Sequence, residues 1–175
     1  MRNLILLSLV LFFFTQCKKY KDPDPFTDPR LTNPYCNIPS AINYNWNFPG
    51  IPDNSTCIFP AQIYNGTYFY RDSFYNERET LVGKDSFDIQ FDDIDTTQLL
   101  ITGFCNALSL KAKANRFLKF QLDSTTSKGQ LFCRTIDTIA GNGYSTHIND
   151  TLIHLSYTIL TDTGIVYHTG IATKK

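Results

Sequence analysis

The chain has 175 residues, 42% of them hydrophobic and 14% aromatic, and its 16 Lys+Arg balance its 16 Asp+Glu. A net charge of zero excludes a strongly basic nucleic-acid binder and an acidic disordered tail, and the apolar share is enough for a packed core. Asp outnumbers Glu by 14 to 2 and Thr outnumbers Ala by 20 to 7, so helix formers are scarce, strand and turn formers are abundant, and the composition reads as all-β. The first element is the apolar run 4–14, interrupted only by Ser8, with Arg2 before it and Cys17, Lys18 and Lys19 after it. A positive charge, a short apolar stretch and then a processing site form the layout of a secretory signal. The run falls short of the ~20 residues that a spanning helix needs.

Cys17 stands directly after the run and its short Thr15-Gln16 spacer. The arrangement resembles a bacterial lipobox. That resemblance implies a signal peptide over 1–16 and a mature chain that begins at Cys17, diacylated on its thiol, with palmitate as one such chain. It also implies attachment to a membrane of the cell envelope, the outer membrane being expected, on its periplasmic or its surface side. Residues 17–34 then read as the lipidated Cys and a Pro-punctuated tether, including Asp22-Pro23-Asp24-Pro25. All eight prolines lie at or before position 60, and eight of the nine glycines lie after it, which places a boundary near 60.

Residues 35–60 hold Cys36 and Cys57, Asn43-Tyr44-Asn45, and the stretch from Asp53 to Pro60. These resemble a short Cys-paired repeat of secreted Bacteroidota proteins, of the form A-x-N-Y-N followed by D-x-S-x-C. The segment is too small and polar for a core of its own, so a covalent staple is expected. Its aromatic residues Tyr44, Trp46 and Phe48 are the candidate interaction surface. One carboxylate, Asp53, is too little charge for a Ca²⁺ site.

Residues 61–175 read as an antiparallel meander of eight or nine strands, forming a small barrel or sandwich. Residues 66–75 are aromatic-rich. Phe87, Ile89 and Phe91 share one face, and Asp92-Asp93 is expected to turn. Residues 98–104 form a more continuously apolar strand. Leu108, Leu110, Ala112 and Ala114 alternate with Ser109, Lys111 and Lys113, and Leu118, Phe120 and Leu122 alternate with Lys119 and Gln121. A strand over 129–136 follows, and Gly141-Asn142-Gly143 is expected to break the chain. A two-residue loop at Asn149-Asp150 would pair Tyr144 with Leu155. A three-residue loop at Asp162-Thr163-Gly164 would pair Tyr157 with Thr169 and Leu155 with Ile171, which sends Tyr167 and Ile171 inward.

Gly66-Thr67-Tyr68 opens this meander as the G-x-W/Y kernel opens lipocalins. The stretches 101–106, 141–143 and 155–159, in that order, look like the lipocalin-like (calycin-like) lipoprotein domains of Bacteroidota. The resemblance covers roughly residues 60–175 and implies a small antiparallel barrel able to hold a small apolar ligand.

No site chemistry is evident. The registers above put His147, His154 and His168 on the polar outer face, with no Asp or Glu alternating into it, so no zinc site is expected. Glu77 and Glu79 read as a solvated loop with Arg71, Asp72 and Arg78. Asp72-Ser73, Asp85-Ser86 and Asp123-Ser124 read as turn or loop residues. No G-x-S-x-G, P-loop, dinucleotide or H-E-x-x-H pattern is present. A non-enzymatic protein without cofactor, metal or nucleic-acid partner is therefore expected.

Cys17 apart, four cysteines remain, and four allow three pairings. Cys36–Cys57 is favoured because both lie in one small segment. Cys105–Cys133 follows by subtraction, although meander order puts two strands between them. Two functions fit: a structural or interaction module with a filled barrel, and a binder of a small apolar ligand. The inward residues are bulky, so no enclosed cavity of roughly 300 Å³ is expected.

Overall fold

Alternation of inward apolar and outward polar residues builds one closed sheet. The computed structural model describes residues 29–45, 49–105 and 108–175. Cys17, Trp46 and Phe48 lie outside the described residues, as does the run 4–14.

The described residues open with a 3₁₀ turn at Pro29–Thr32 and two short parallel strands, β1 (Pro34–Tyr35) and β2 (Ile51–Pro52). Asp53 caps a second 3₁₀ turn, Asn54–Thr56, by accepting from Ser55 N. The Asn43 side chain ties the segment together, donating to Thr56 O and accepting from Ile58 N. Cys36 and Cys57 form the expected disulfide, with Cα atoms 4.8 Å apart. The paired variant Cys36→Ser/Cys57→Ser is expected to lose about 2–4 kcal/mol, confined to this segment. Limited proteolysis should then cut within 33–59 and leave the barrel whole; cuts spread over the barrel would refute that division.

A third 3₁₀ turn, Gln62–Tyr64, leads into the barrel strands β3 (Gly66–Tyr75), β4 (Leu81–Asp93), β5 (Gln98–Cys105), β6 (Leu108–Asn115), β7 (Lys119–Leu122), β8 (Gln130–Phe132), β9 (Arg134–Tyr144), β10 (Leu152–Thr161) and β11 (Gly164–Lys174). The sheet runs β3-β4-β5-β6-β7-β9-β10-β11 and closes by pairing β11 with β3, an eight-stranded antiparallel barrel. β8 is the extra strand. It takes the edge of β9 beyond β7, and the buried Gln130 amide hydrogen-bonds both N and O of Lys111 on β6. Charged side chains such as Lys111, Lys113 and Lys119 face outward while Leu110, Ala112 and Phe120 are buried, the reverse of a lipid-facing barrel. No helix among the described residues is long and apolar enough to cross a membrane.

Several sequence expectations are corrected. β4 takes in Asp92 and ends at Asp93, so the turn falls just after the pair, over 94–97. The strand over 129–136 is two strands, split where Cys133 takes a left-handed φ of 43°. Gly141 and Gly143 lie inside β9. A Cβ at Gly141 would sit 2.4 Å from Tyr157 Cβ, and one at Gly143 would sit 2.3 Å from Phe120 Cζ. Here glycine makes room for a neighbouring aromatic side chain instead of ending the strand. Both final hairpins are displaced by one residue. Tyr144 pairs with His154, and Tyr157 pairs with His168 through a two-residue Asp162-Thr163 loop. Tyr167 and Ile171 consequently lie outside, 42% and 41% exposed.

Cys105 and Cys133 are bonded, with Cα atoms 5.5 Å apart. Cys105 ends β5 and the exposed Cys133 lies between β8 and β9, so the bridge crosses the barrel rim rather than its interior.

Candidate functional site

On β3 the inward positions are Tyr68, Tyr70, Asp72 and Phe74. Strand alternation therefore places one carboxylate on an aromatic face. Asp72 is only 4% exposed. The one-residue shift in the last hairpin turns His168 inward beside it, opposite Phe74 and next to Tyr157. Gly170 faces Asp72 across the strands, and a Cβ there would lie 2.0 Å from Arg71 O and 2.7 Å from Tyr70 Cε2, so glycine leaves room for the β3 backbone and for that ring.

Three donors converge on this carboxylate. Tyr70 Oη donates to Asp72 Oδ1 at 3.0 Å, and Tyr157 Oη donates to Oδ2 at 3.1 Å. His168 Nδ1 lies 2.6 Å from the same Oδ2. The imidazole is stacked between Tyr157, with centroids 4.5 Å apart and planes at 10°, and Phe74 at 5.5 Å. Burial raises both tyrosine hydroxyls far above the ordinary phenol range. The Asp72 charge adds to burial for Tyr70, and Tyr70 and the Asp72 charge add to it for Tyr157. Both therefore remain protonated donors. With Asp72 Oδ2 as the acceptor, His168 Nδ1 is the donor of this contact, and Nε2 lies at the other edge of the ring.

Such a pair can orient an imidazole as a hydrogen-bond acceptor or base. Among the described residues no hydroxyl or thiol of Ser, Thr or Cys hydrogen-bonds the ring, and no three His, Cys, Asp or Glu side chains are arranged to hold a metal ion. The arrangement supplies a polar keystone in an aromatic interior.

The rest of that interior is filled. Phe104 on β5 and Tyr157 on β10 stand on diametrically opposed strands, yet their centroids are 5.4 Å apart, edge to face. Phe87 meets Tyr70 at 5.5 Å and Phe104 at 5.6 Å. At the other end Tyr64 and Phe91 pack on Phe120 at 5.0 and 5.5 Å. Lys174 Nζ lies over the Tyr68 ring at 5.6 Å, joining the last strand to the Gly66-Thr67-Tyr68 opening.

No family model matches the chain, and no curated protein does either.

The remaining site expectations fall as follows. His154 does face outward and stacks on Tyr144 at 4.7 Å, while His147 is exposed in a loop. His168 is the exception, because the register that exposed it is not the one formed. Asp72 is neither turn nor loop but mid-strand. Glu77 lies in the expected loop and accepts from Ile165 N. Tyr44 is half-buried in the Cys-paired segment. The signal for this site in the sequence is the Tyr68, Tyr70, Asp72, Phe74 alternation itself, a lone acid on an apolar face that demands a buried donor.

Proposed function

We propose that the chain is a lipid-anchored protein of the bacterial cell envelope, acylated at Cys17 and held at the outer membrane. Its lipocalin-like barrel acts as a non-catalytic interaction module. The contact between Phe104 and Tyr157 across the barrel carries the second half of this reading. An eight-stranded barrel has an interior just wide enough for its own side chains, and here rings from opposite walls already touch. The lipocalin-like resemblance is supported by the closed eight-stranded topology and by the Gly66-Thr67-Tyr68 opening. The sequence arrangement around Cys17 supports the anchor.

A second reading, a binder of a small apolar ligand, is favoured by the incompletely covered Phe87, Phe104, Phe132 and Ile159 packed against the core cluster. Such a ligand would sit shallowly over these side chains. Native mass spectrometry of protein extracted from membranes separates the two. The module reading expects the mass of the acylated chain alone, and a stoichiometric co-purified lipid would replace it with the binder. For the anchor, Cys17→Ser is expected to abolish palmitate labelling and move the protein out of the membrane fraction; retained label would overturn it.

A further inference from the structure

The two ends of the barrel expose different loops. One end carries the β4–β5, β6–β7 and β9–β10 loops, and each holds one large apolar side chain out in solvent. Ile94 is 54% exposed, Phe117 68% and Ile148 37%. At the opposite end, the β3–β4 loop is Asn76-Glu77-Arg78-Glu79-Thr80, the β7–β8 loop spans the polar stretch 123–129, and the β10–β11 loop is Asp162-Thr163. Large apolar side chains are exposed at that end too, Leu81, Val82, Leu108, Leu131 and Ile136, but they belong to strands and flank the loops rather than standing at their tips.

The Phe117 turn carries a second signal. Leu118 adopts a left-handed φ of 58°, a conformation that glycine or asparagine normally supplies. Asn115 Oδ1 accepts from Phe117 N and fixes the turn. A strained leucine beside a phenylalanine exposed to water is the kind of outlier that function maintains.

The Cys-paired segment packs on this same end. Arg116 Nη1 donates to Pro39 O at 3.4 Å, Ala61 N donates to Thr96 O at 3.2 Å, and Ile42 shares a groove with Phe117 and Ile148. The N-terminal chain therefore joins the barrel here. Cys17 precedes Pro29 by 12 residues, which at full extension reach at most roughly 40 Å.

We infer that this end of the barrel rests on the lipid surface that holds the anchor, with Phe117, Ile148 and Ile94 in the interfacial layer. The inference rests on the reading of Cys17 as acylated. A bilayer is the occupant because the three side chains stand on separate loop tips around one barrel end, and because the Cys-paired segment, through which the chain runs back toward Cys17, packs on that end. Charge contributes little. Lys175 pairs with Asp88, and Arg116 and Lys174 are offset by Asp93, Asp95 and Asp150. Those three acids are held by Asn65, by Thr97 and Gln98, and by Thr146 and Leu152. The contact is therefore apolar and insensitive to salt. Its weakness in solution is offset by the tether, which raises the effective concentration of the bilayer at the loop tips.

The test places an environment-sensitive fluorophore at Asn149→Cys or at Arg78→Cys, one at each barrel end. Bilayers of phosphatidylethanolamine and phosphatidylglycerol carry a nitroxide lipid as quencher. Two forms are compared, the mature lipoprotein and the chain from Lys18 onward held by an N-terminal hexahistidine on nickel-chelating lipid. Quenching at 149 is expected to exceed that at 78 at least threefold in both forms. It should fall to the level at 78 when Ile94→Ser and Phe117→Ser are combined, and change less than twofold between 50 and 500 mM salt. Equal quenching at the two ends overturns the inference. The nickel-held form lacks Cys17, so preferential quenching at 149 in it supports this orientation whatever the state of Cys17, while a mature chain from membranes whose mass shows no acyl group on Cys17 refutes the lipidation reading alone.

Discussion

Replacing Asp72 with leucine is expected to destabilise the barrel by about 3–5 kcal/mol, a large fraction of what a domain of this size has. The carboxylate is the common acceptor for Tyr70 Oη, Tyr157 Oη and His168 Nδ1. Its loss leaves three donors in an aromatic interior, and each unsatisfied buried donor costs about 1–3 kcal/mol. Reorientation of the hydroxyls and the partial exposure of the imidazole recover some of this, which sets the figure below the full sum. Asp72→Asn is expected to cost less, about 1–3 kcal/mol, because one amide oxygen still accepts. Combining Asp72→Leu with Tyr70→Phe and Tyr157→Phe should restore part of the loss, since the orphaned hydroxyls go with it. Urea unfolding monitored by circular dichroism measures all three. A leucine variant within about 1 kcal/mol of the parent would mean that the carboxylate is not the keystone of this cluster.

The same cluster shows what could and could not be read from the chain. The strand Gly66–Tyr75 follows from alternation and aromatic content, and the closed all-β architecture follows from strand number and spacing. The Cys36–Cys57 bridge follows from a segment too small to fold without one. The last two hairpins were harder, because a one-residue slip leaves apolar residues opposite apolar residues in either register. Pairing Ile159 with Tyr167 or with Val166 looks equally good from sequence. The formed register is selected by what it buries: His168 meets Asp72, and Gly170 makes room for the Tyr70 ring. These are tertiary facts about β3, nearly a hundred residues earlier in the chain. Gly141 and Gly143 misled for a related reason. Glycine in a strand signals either a break or a close approach, and only the positions of Tyr157 and Phe120 decide which.

Alkali is expected to unfold the barrel steeply, with the onset set by its buried phenols. Tyr64, Tyr68, Tyr70 and Tyr157 are all 5% exposed or less. Burial pushes the Tyr68 hydroxyl up to about 12, with the Asp150 charge adding to the effect. Burial raises Tyr64, Tyr70 and Tyr157 further still. In the unfolded chain each ionises near the ordinary phenol value of about 10. A folded-state value above the unfolded one means that the folded state keeps protons the unfolded state has released. The stabilisation is complete below about pH 10 and declines as pH rises beyond it. With four such groups the slope approaches 4 × 1.36, or about 5 kcal/mol per pH unit, so between roughly pH 11 and 12 the fold gives way cooperatively. Absorbance at 295 nm followed together with far-ultraviolet circular dichroism checks this. Four phenolates should appear only as the strand signal is lost, in one coincident transition. Their appearance while the circular dichroism remains intact would show that water and hydroxide reach the interior, and that the aromatic rings do not seal the barrel as Phe104 and Tyr157 do here.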